Sequence, residues 1–279
     1  MIELVRLRKQ YGSIVAVDGV DLVVKKGEIF GFLGPNGAGK TTTIRMLTTL
    51  TKPTSGYALV NGYDVVKEAV KAKMGIGVVP QYINLDGDLS AEENLELCGL
   101  LYRMGREDRR KRASELLTFA GLAERARYPV KTFSGGMKRR LMIVCALMHR
   151  PQILFLDEPT VGLDPQSRRS IWDLIRRINS DGGTIFLTTH YIEEAEHLCH
   201  RVGIIDNGRL IVLDTPQKML TEAGNWVVEI YRNGETERAF FETREEAAHF
   251  AAGFQQDALI RSANLEDVFI RLTGKRGVD

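Results

Sequence analysis

Two acids side by side, Asp157 and Glu158, follow the apolar run Ile153-Leu154-Phe155-Leu156. A carboxylate at the end of a buried strand is costly unless a cation or hydrogen-bond donors compensate it. Such a pair suits two tasks. Asp157 would hold a divalent cation, often through water, and Glu158 would activate an attacking water. A second stretch supplies what they would act on. Gly34-Pro35-Asn36-Gly37-Ala38-Gly39-Lys40-Thr41, continued by Thr42 and Thr43, fits G-x-x-x-x-G-K-[ST], the phosphate-binding loop. Backbone N–H groups of such a loop converge on an anion, and the following helix adds the positive end of its dipole. Lys40 would bridge the β- and γ-phosphates of a nucleoside triphosphate, and the Thr41 hydroxyl would ligate Mg2+.

Other positions allow two readings each. Gln81 closes the run Gly75–Pro80: it is an ordinary loop start unless its strand ends beside the phosphates. His190 closes Gly183–Thr189. It is either a satisfied loop residue or an imidazole facing the same crevice, able to donate to a γ-phosphate and orient the attacking water. Ser134-Gly135-Gly136 precedes the apolar segment 141–148 and reads as a helix start with Ser134 near the cap. Its exposed N–H groups would also make an anion site. Tyr11, at a turn, is either a packing residue or a ring poised to stack on a base.

The elements that must position these groups follow from the apolar pattern. Continuous apolar runs predict strands buried on both faces, as in parallel sheets, with ligands at their carboxyl ends. Strands are expected at 2–8, 14–24 (with a bend or bulge at Asp18-Gly19), 57–60, 75–81, 153–156, 183–190, 202–206 and 209–213. Helices are expected at 42–51, 65–73, 166–180 and 191–200. From about 88 to 150 the pattern is helical, opening at the capping box Ser90-Ala91-Glu92-Glu93, and predicts an inserted helical subdomain. Its charged run, 105–112, reads as a solvated helix face, with contact to anionic lipid headgroups the lesser option. Residues 1–215 thus form one unit and 216–224 a linker carrying a short helix. From 225 to 279 the pattern predicts a ββαβα appendage: a hairpin turning at Asn233-Gly234, a helix at 243–252, a strand at 258–262 and a helix at 265–273.

Composition narrows the class. The apolar fraction of 44% and charged fraction of 27% are those of a globular chain, and a net charge of +2 predicts no nucleic-acid or other polyanion partner. Cys98, Cys145 and Cys199 are widely spaced and form no disulfide or metal pattern, which suits a reducing cytosol. The N-terminus lacks a signal-peptide hydrophobic region, and no apolar run reaches the ~18 residues of a membrane span. A membrane role must come through a partner.

Taken in order, these motifs resemble the ATP-binding cassette ATPases across residues 1–215. The loop at Gly34–Thr41 matches Walker A, Gln81 the loop glutamine, and Phe133-Ser134-Gly135-Gly136-Met137 the signature motif. Asp157 and Glu158 match the end of Walker B, Val161-Gly162-Leu163-Asp164 the D-loop, and His190 the switch histidine. The one departure is Phe133, where the family usually has leucine, at a position that packs behind the loop. The resemblance implies a RecA-like P-loop α/β core with an antiparallel β-subdomain and an inserted helical subdomain. It implies ATP and Mg2+ as ligands, with Thr41, Gln81 and Asp157 at the metal, Tyr11 stacking on adenine and Val17 packing on the nucleotide. It implies that Phe133 to Met137, with Ser134 and Gly136 on the γ-phosphate, cap the ATP of a second cassette, and that Asp164 communicates across the dimer. With one copy of each motif, the chain needs a second cassette, most simply itself. The run Gly34 to Thr43, the extension Gly136-Met137-Lys138-Arg139-Arg140, the run Thr188 to Glu196 and the tail 264–274 are similar to bacterial drug- and antibiotic-type exporter cassettes. These work with separate permease subunits on the cytoplasmic face of the inner membrane. In that group the helical subdomain and the loop after Gln81 receive the permease's coupling helix. Two other readings are a soluble cassette that remodels ribosomes or DNA, and a ligand-sensing role for the appendage.

Overall fold

The computed structural model describes residues 1–232, 235–254 and 258–273. In chain order it runs β1 (Ile2–Tyr11), β2 (Ile14–Val24), β3 (Ile29–Leu33), α1 (Lys40–Leu47), β4 (Ser55–Val60), β5 (Tyr63–Asp64), α2 (Ala69–Met74) and β6 (Ile76–Val79). Then come α3 (Ala91–Leu101), α4 (Arg106–Phe119), α5 (Gly135–Ala146), β7 (Ile153–Asp157), α6 (Pro165–Ser180), β8 (Thr184–Thr189), α7 (Ile192–Leu198), β9 (Arg201–Asp206) and β10 (Arg209–Asp214). The chain closes with α8 (Pro216–Ala223), β11 (Trp226–Arg232), β12 (Glu235–Phe241), α9 (Arg244–Ala251), β13 (Ala258–Ser262) and α10 (Leu265–Thr273).

The central sheet has the order β10-β9-β3-β8-β7-β6, parallel except for β10. Every residue of β3, β7 and β8 is buried, which is why their runs are apolar throughout rather than alternating. One face carries Phe30, Phe32, Phe155 and Phe186, with ring centroids 5.3–6.3 Å apart. Each ring so buried contributes roughly 1.5–3 kcal/mol. This face packs with α1 and with an antiparallel sheet, β2-β1-β4-β5. The bulge expected at Asp18-Gly19 is there: Leu7 pairs with Val20, but Lys9 pairs with Val17. The other face carries α3 to α7. α3 starts at a complete Ser90–Glu93 capping box.

Four expectations need correction. The helix after the phosphate loop begins at Lys40, not Thr42, and the one expected at 65–73 is confined to 69–74. The stretch 216–224 is not a linker. α8 fills it, and Met219 and Ala223 are buried in the main core. Nor is the last helix peripheral, for Leu265, Val268 and Phe269 of α10 join the same core, and the Leu265 N–H donates to Glu196 on α7 at 2.7 Å. The sheet β12-β11-β13 and α9 have a small core of their own. The hairpin turn expected at Asn233-Gly234 lies outside the described residues, as does Gly274 of the tail.

Candidate functional site

β3 brings the chain to the loop and α1 leads it away. Gly39 caps α1 with φ 108°, a conformation that L side chains rarely adopt. A Cβ there would lie 2.4 Å from the Ala16 carbonyl oxygen and 3.3 Å from a Val17 methyl. Val17, fully buried, is thereby brought against the loop. Asn36 and Gly37 form an exposed tip, Gly34 and Ala38 are buried, Pro35 and Thr42 half-buried. Lys40 folds back, its Nζ donating to the carbonyls of Gly34 (2.7 Å) and Pro35 (3.1 Å).

β7 delivers Asp157 to the same edge. Its Oδ1 accepts from Thr188 Oγ1 at 2.6 Å and from Thr41 Oγ1 at 3.2 Å. Glu158 follows in left-handed backbone, φ 49°, a conformation costing about 1–2 kcal/mol for a residue with a Cβ. It is held there because its N–H donates to both Thr188 O and Thr188 Oγ1 at 3.1 Å. Its carboxylate is the meeting point of the site. Oε1 lies 3.2 Å from Lys40 Nζ, and Oε2 accepts from Gln81 Nε2 at 3.2 Å. His190 Nδ1 lies 3.2 Å from Oε2 without hydrogen-bond alignment, which leaves a buried ring nitrogen with no hydrogen-bond partner.

Electrostatics match this arrangement. Burial pushes the Lys40 ammonium below its ordinary range, opposed by Glu158 and then Asp157. Burial pushes the Asp157 carboxyl up, opposed by the hydrogen bonds from Thr188 and Thr41. Thr41 Oγ1 and Asp157 Oδ1 are hard oxygen donors side by side, as suits a small cation that keeps most of its waters. Among the described residues no cluster of three or more His, Cys, Asp or Glu could cage a metal, so an all-protein site is not what this edge offers. Tyr11 stands 45% exposed at the end of β1, with the Lys9 ammonium 4.8 Å from its ring centre.

The Ser134 turn faces outward. Ser134 caps α5, its Oγ accepting from the Met137 N–H at 3.2 Å, and both Ser134 and Gly135 are exposed. Gly136 is buried against α6, where a Cβ would sit 2.6 Å from Ser167 Oγ. Phe133 is buried behind the turn, and Met137 packs partly against the core. Asp164, also exposed, caps α6 by accepting from the Ser167 N–H at 2.9 Å, and the Ser167 hydrogen bonds hold its carboxyl below the usual range. Ser167 therefore joins the two turns.

Three residues of this region lie in runs that resemble exporter cassettes but are given no role of their own by the motifs. Thr188 interrupts an apolar strand, a signal that could have drawn notice. Glu194 is fully buried on α7, accepting from Thr160 Oγ1 (2.9 Å) and Trp172 Nε1 (3.1 Å). Arg139 is buried on α5 and donates to backbone carbonyls. It stands between Lys138 and Arg140, both half-buried, so the sequence does not single it out.

A family profile described as ABC transporter matches residues 17–161. The chain is 44% identical over 298 residues to the Nod factor export ATP-binding protein I of Cupriavidus metallidurans, covering 99% of this chain and 98% of that one. It is 45% identical over 250 residues to the linearmycin resistance ATP-binding protein LnrL of Bacillus subtilis, covering 89% and 80%. Among solved structures, a dimeric ATP-binding cassette in a post-hydrolysis state bound to ADP and Pi superposes with a TM-score of 0.69. That pair is 33% identical, and the match covers 77% of this chain and 98% of the other. No helix among the described residues is long and apolar enough to cross a membrane. The chain therefore belongs to the ABC transporter family, as an ATP-binding and ATP-hydrolysing subunit of exporter type.

Proposed function

We propose that two copies of this chain close over ATP, hydrolyse it, and so drive a separate permease that exports a drug- or antibiotic-type solute. The observation that carries this reading is the convergence of Lys40, Gln81 and His190 on the Glu158 carboxylate. Lys40 holds the β- and γ-phosphates by giving up its contact with Glu158. Glu158, released, takes a proton from the attacking water, and His190 donates to the γ-phosphate and orients that water. Tyr11 stacks on the adenine, while Val17, fully buried beneath Gly39, supports the loop rather than meeting the nucleotide. Thr41, Asp157 and Gln81 would hold Mg2+, which when bound supplies neutralisation of the phosphate charge.

In this reading residues 1–215 are the cassette, 88–150 its helical subdomain, and β11, β12, α9 and β13 an accessory unit whose closing helix α10 packs on the cassette core. The outward Ser134 turn, from Phe133 to Met137, covers the γ-phosphate on the other copy, and Asp164 meets its counterpart across the interface. The permease docks into a groove of about 450 Å³ between α3, α5 and the loop after Gln81, with Leu97, Leu101 and Tyr102 on its rim. This places the chain on the cytoplasmic face of the membrane.

The test is Glu158→Gln. Phosphate release should fall by about 10²–10⁴-fold while nucleotide is retained. Normal turnover in that variant would exclude Glu158 as the base.

A further inference from the structure

Arg139 lies on α5, between the Ser134 turn and the apolar half of the helix. It is only 5% exposed. Its guanidinium reaches across to the end of β6, where Nη1 donates to Pro80 O and Nη2 to Gln81 O, both at 2.8 Å. One planar fork thus holds two successive carbonyls, a geometry that lysine's single point charge does not reproduce. Further along the same helix Leu141, Met142 and Ile143 are apolar and buried, so packing alone would be met by another aliphatic side chain. Burial pushes the guanidinium below its ordinary range, opposed by Glu194 and Asp157. Retaining a dry cation here is costly, and the two carbonyls are what it satisfies in return.

Those carbonyls belong to the segment that aims the Gln81 side chain, whose Nε2 lies 3.2 Å from Glu158 Oε2. The other end of the link is rigid, because Arg139 and Ser134 belong to one helix and its cap. We infer that Arg139 is a positioning residue, which fixes the Pro80–Gln81 backbone so that the Gln81 amide stays beside Glu158 at the edge where Mg2+ would be held. Through α5 it also makes the placement of that amide depend on the placement of the Ser134 turn. Engagement of the turn by the second copy is thereby felt at Gln81 without direct contact. This rests on the roles proposed above for Gln81 and Glu158.

The test is a double-mutant cycle on the full-length chain. Arg139→Met, Gln81→Ala and their combination are compared for kcat and KM by phosphate release with Mg-ATP, with thermal midpoints measured alongside. Misplacing a reacting group by about 1 Å costs on the order of a hundredfold, so Arg139→Met should lower kcat by about ten- to a hundredfold with KM little changed. In the Gln81→Ala background the same change should alter kcat less than about twofold, because the group it positions is gone. Arg139→Lys should recover part of the loss, since one donor remains. Should the methionine variant not fold, Arg139→Lys carries the same cycle. An equal loss in both backgrounds, or a wild-type kcat for Arg139→Met, overturns the inference while leaving Gln81's role intact. Wild-type turnover for Gln81→Ala alone overturns the role of Gln81 and this inference with it.

Discussion

Lys40 Nζ and Glu158 Oε1 lie 3.2 Å apart with 5% and 6% of their side chains exposed, so the loop's cation and the strand-end carboxylate satisfy each other. Removing one partner of such a pair leaves the other charge buried, at roughly 3–5 kcal/mol. Lys40→Met should therefore lower stability by about that amount, moderated by the Gln81 hydrogen bond that Glu158 keeps. Adding Glu158→Gln should return most of the loss. Urea midpoints of the two single variants and the double variant check this. Additive losses would mean that the pair is not coupled.

Two glycines of the loop separate backbone strain from steric fit. Gly37 has φ 81° with open space at its Cβ position, whereas Gly39 has φ 108° and the Ala16 carbonyl 2.4 Å away. Gly37→Ala should cost about 1–2 kcal/mol for the left-handed conformation alone. Gly39→Ala should cost roughly 1–3 kcal/mol more, from overpacking, and should disturb nucleotide affinity. Chemical denaturation and a fluorescent-nucleotide titration of both variants decide it.

How much of this was legible beforehand depended on the kind of contact. The fully buried strands announce themselves, because a parallel sheet covered on both faces demands unbroken apolar runs such as Ile153–Leu156. The acids at the end of that run and the Gly-Lys-Thr loop are visible for the same reason: expensive residue types stand where nothing but a ligand explains them. The start of α1 was missed because Gly39 caps it through backbone conformation, with no side-chain bond to betray it. Arg139 was missed because its partners are carbonyls, which every residue has. The pattern of Leu265, Val268 and Phe269 marks a buried face of α10 but cannot say that α7 and α8 cover it.

That last contact makes the C-terminal helix structural. Phe269 is fully buried in the main core. Phe269→Ala should lower the stability of the whole chain by about 3–5 kcal/mol in a urea titration. A loss under about 1 kcal/mol would show that α10 is dispensable to the cassette.

The pH dependence of stability has a definite sign at Glu194. Burial pushes its carboxyl up from the ordinary 4.5, against hydrogen bonds from Thr189, Thr160 and Trp172. The folded chain therefore holds this proton more tightly than the unfolded chain does. Its contribution to stability is fully present below the unfolded pKa near 4.5 and is lost as pH rises through the raised folded value. Glu194→Gln lacks this dependence. As pH falls from neutral toward 5, wild type should gain on the variant by up to about 1.4 kcal/mol per pH unit. Parallel denaturation curves at each pH would contradict it.

The division of the ATP site between two copies is tested most directly by size-exclusion chromatography with light scattering, on Glu158→Gln and on Glu158→Gln combined with Ser134→Arg. With ATP and Mg2+, the single variant should elute as a dimer. The double variant should elute as a monomer that still binds a fluorescent nucleotide. A dimer that survives Ser134→Arg, or a Glu158→Gln chain that binds ATP and stays monomeric, would contradict a γ-phosphate capped by the partner's Ser134 turn.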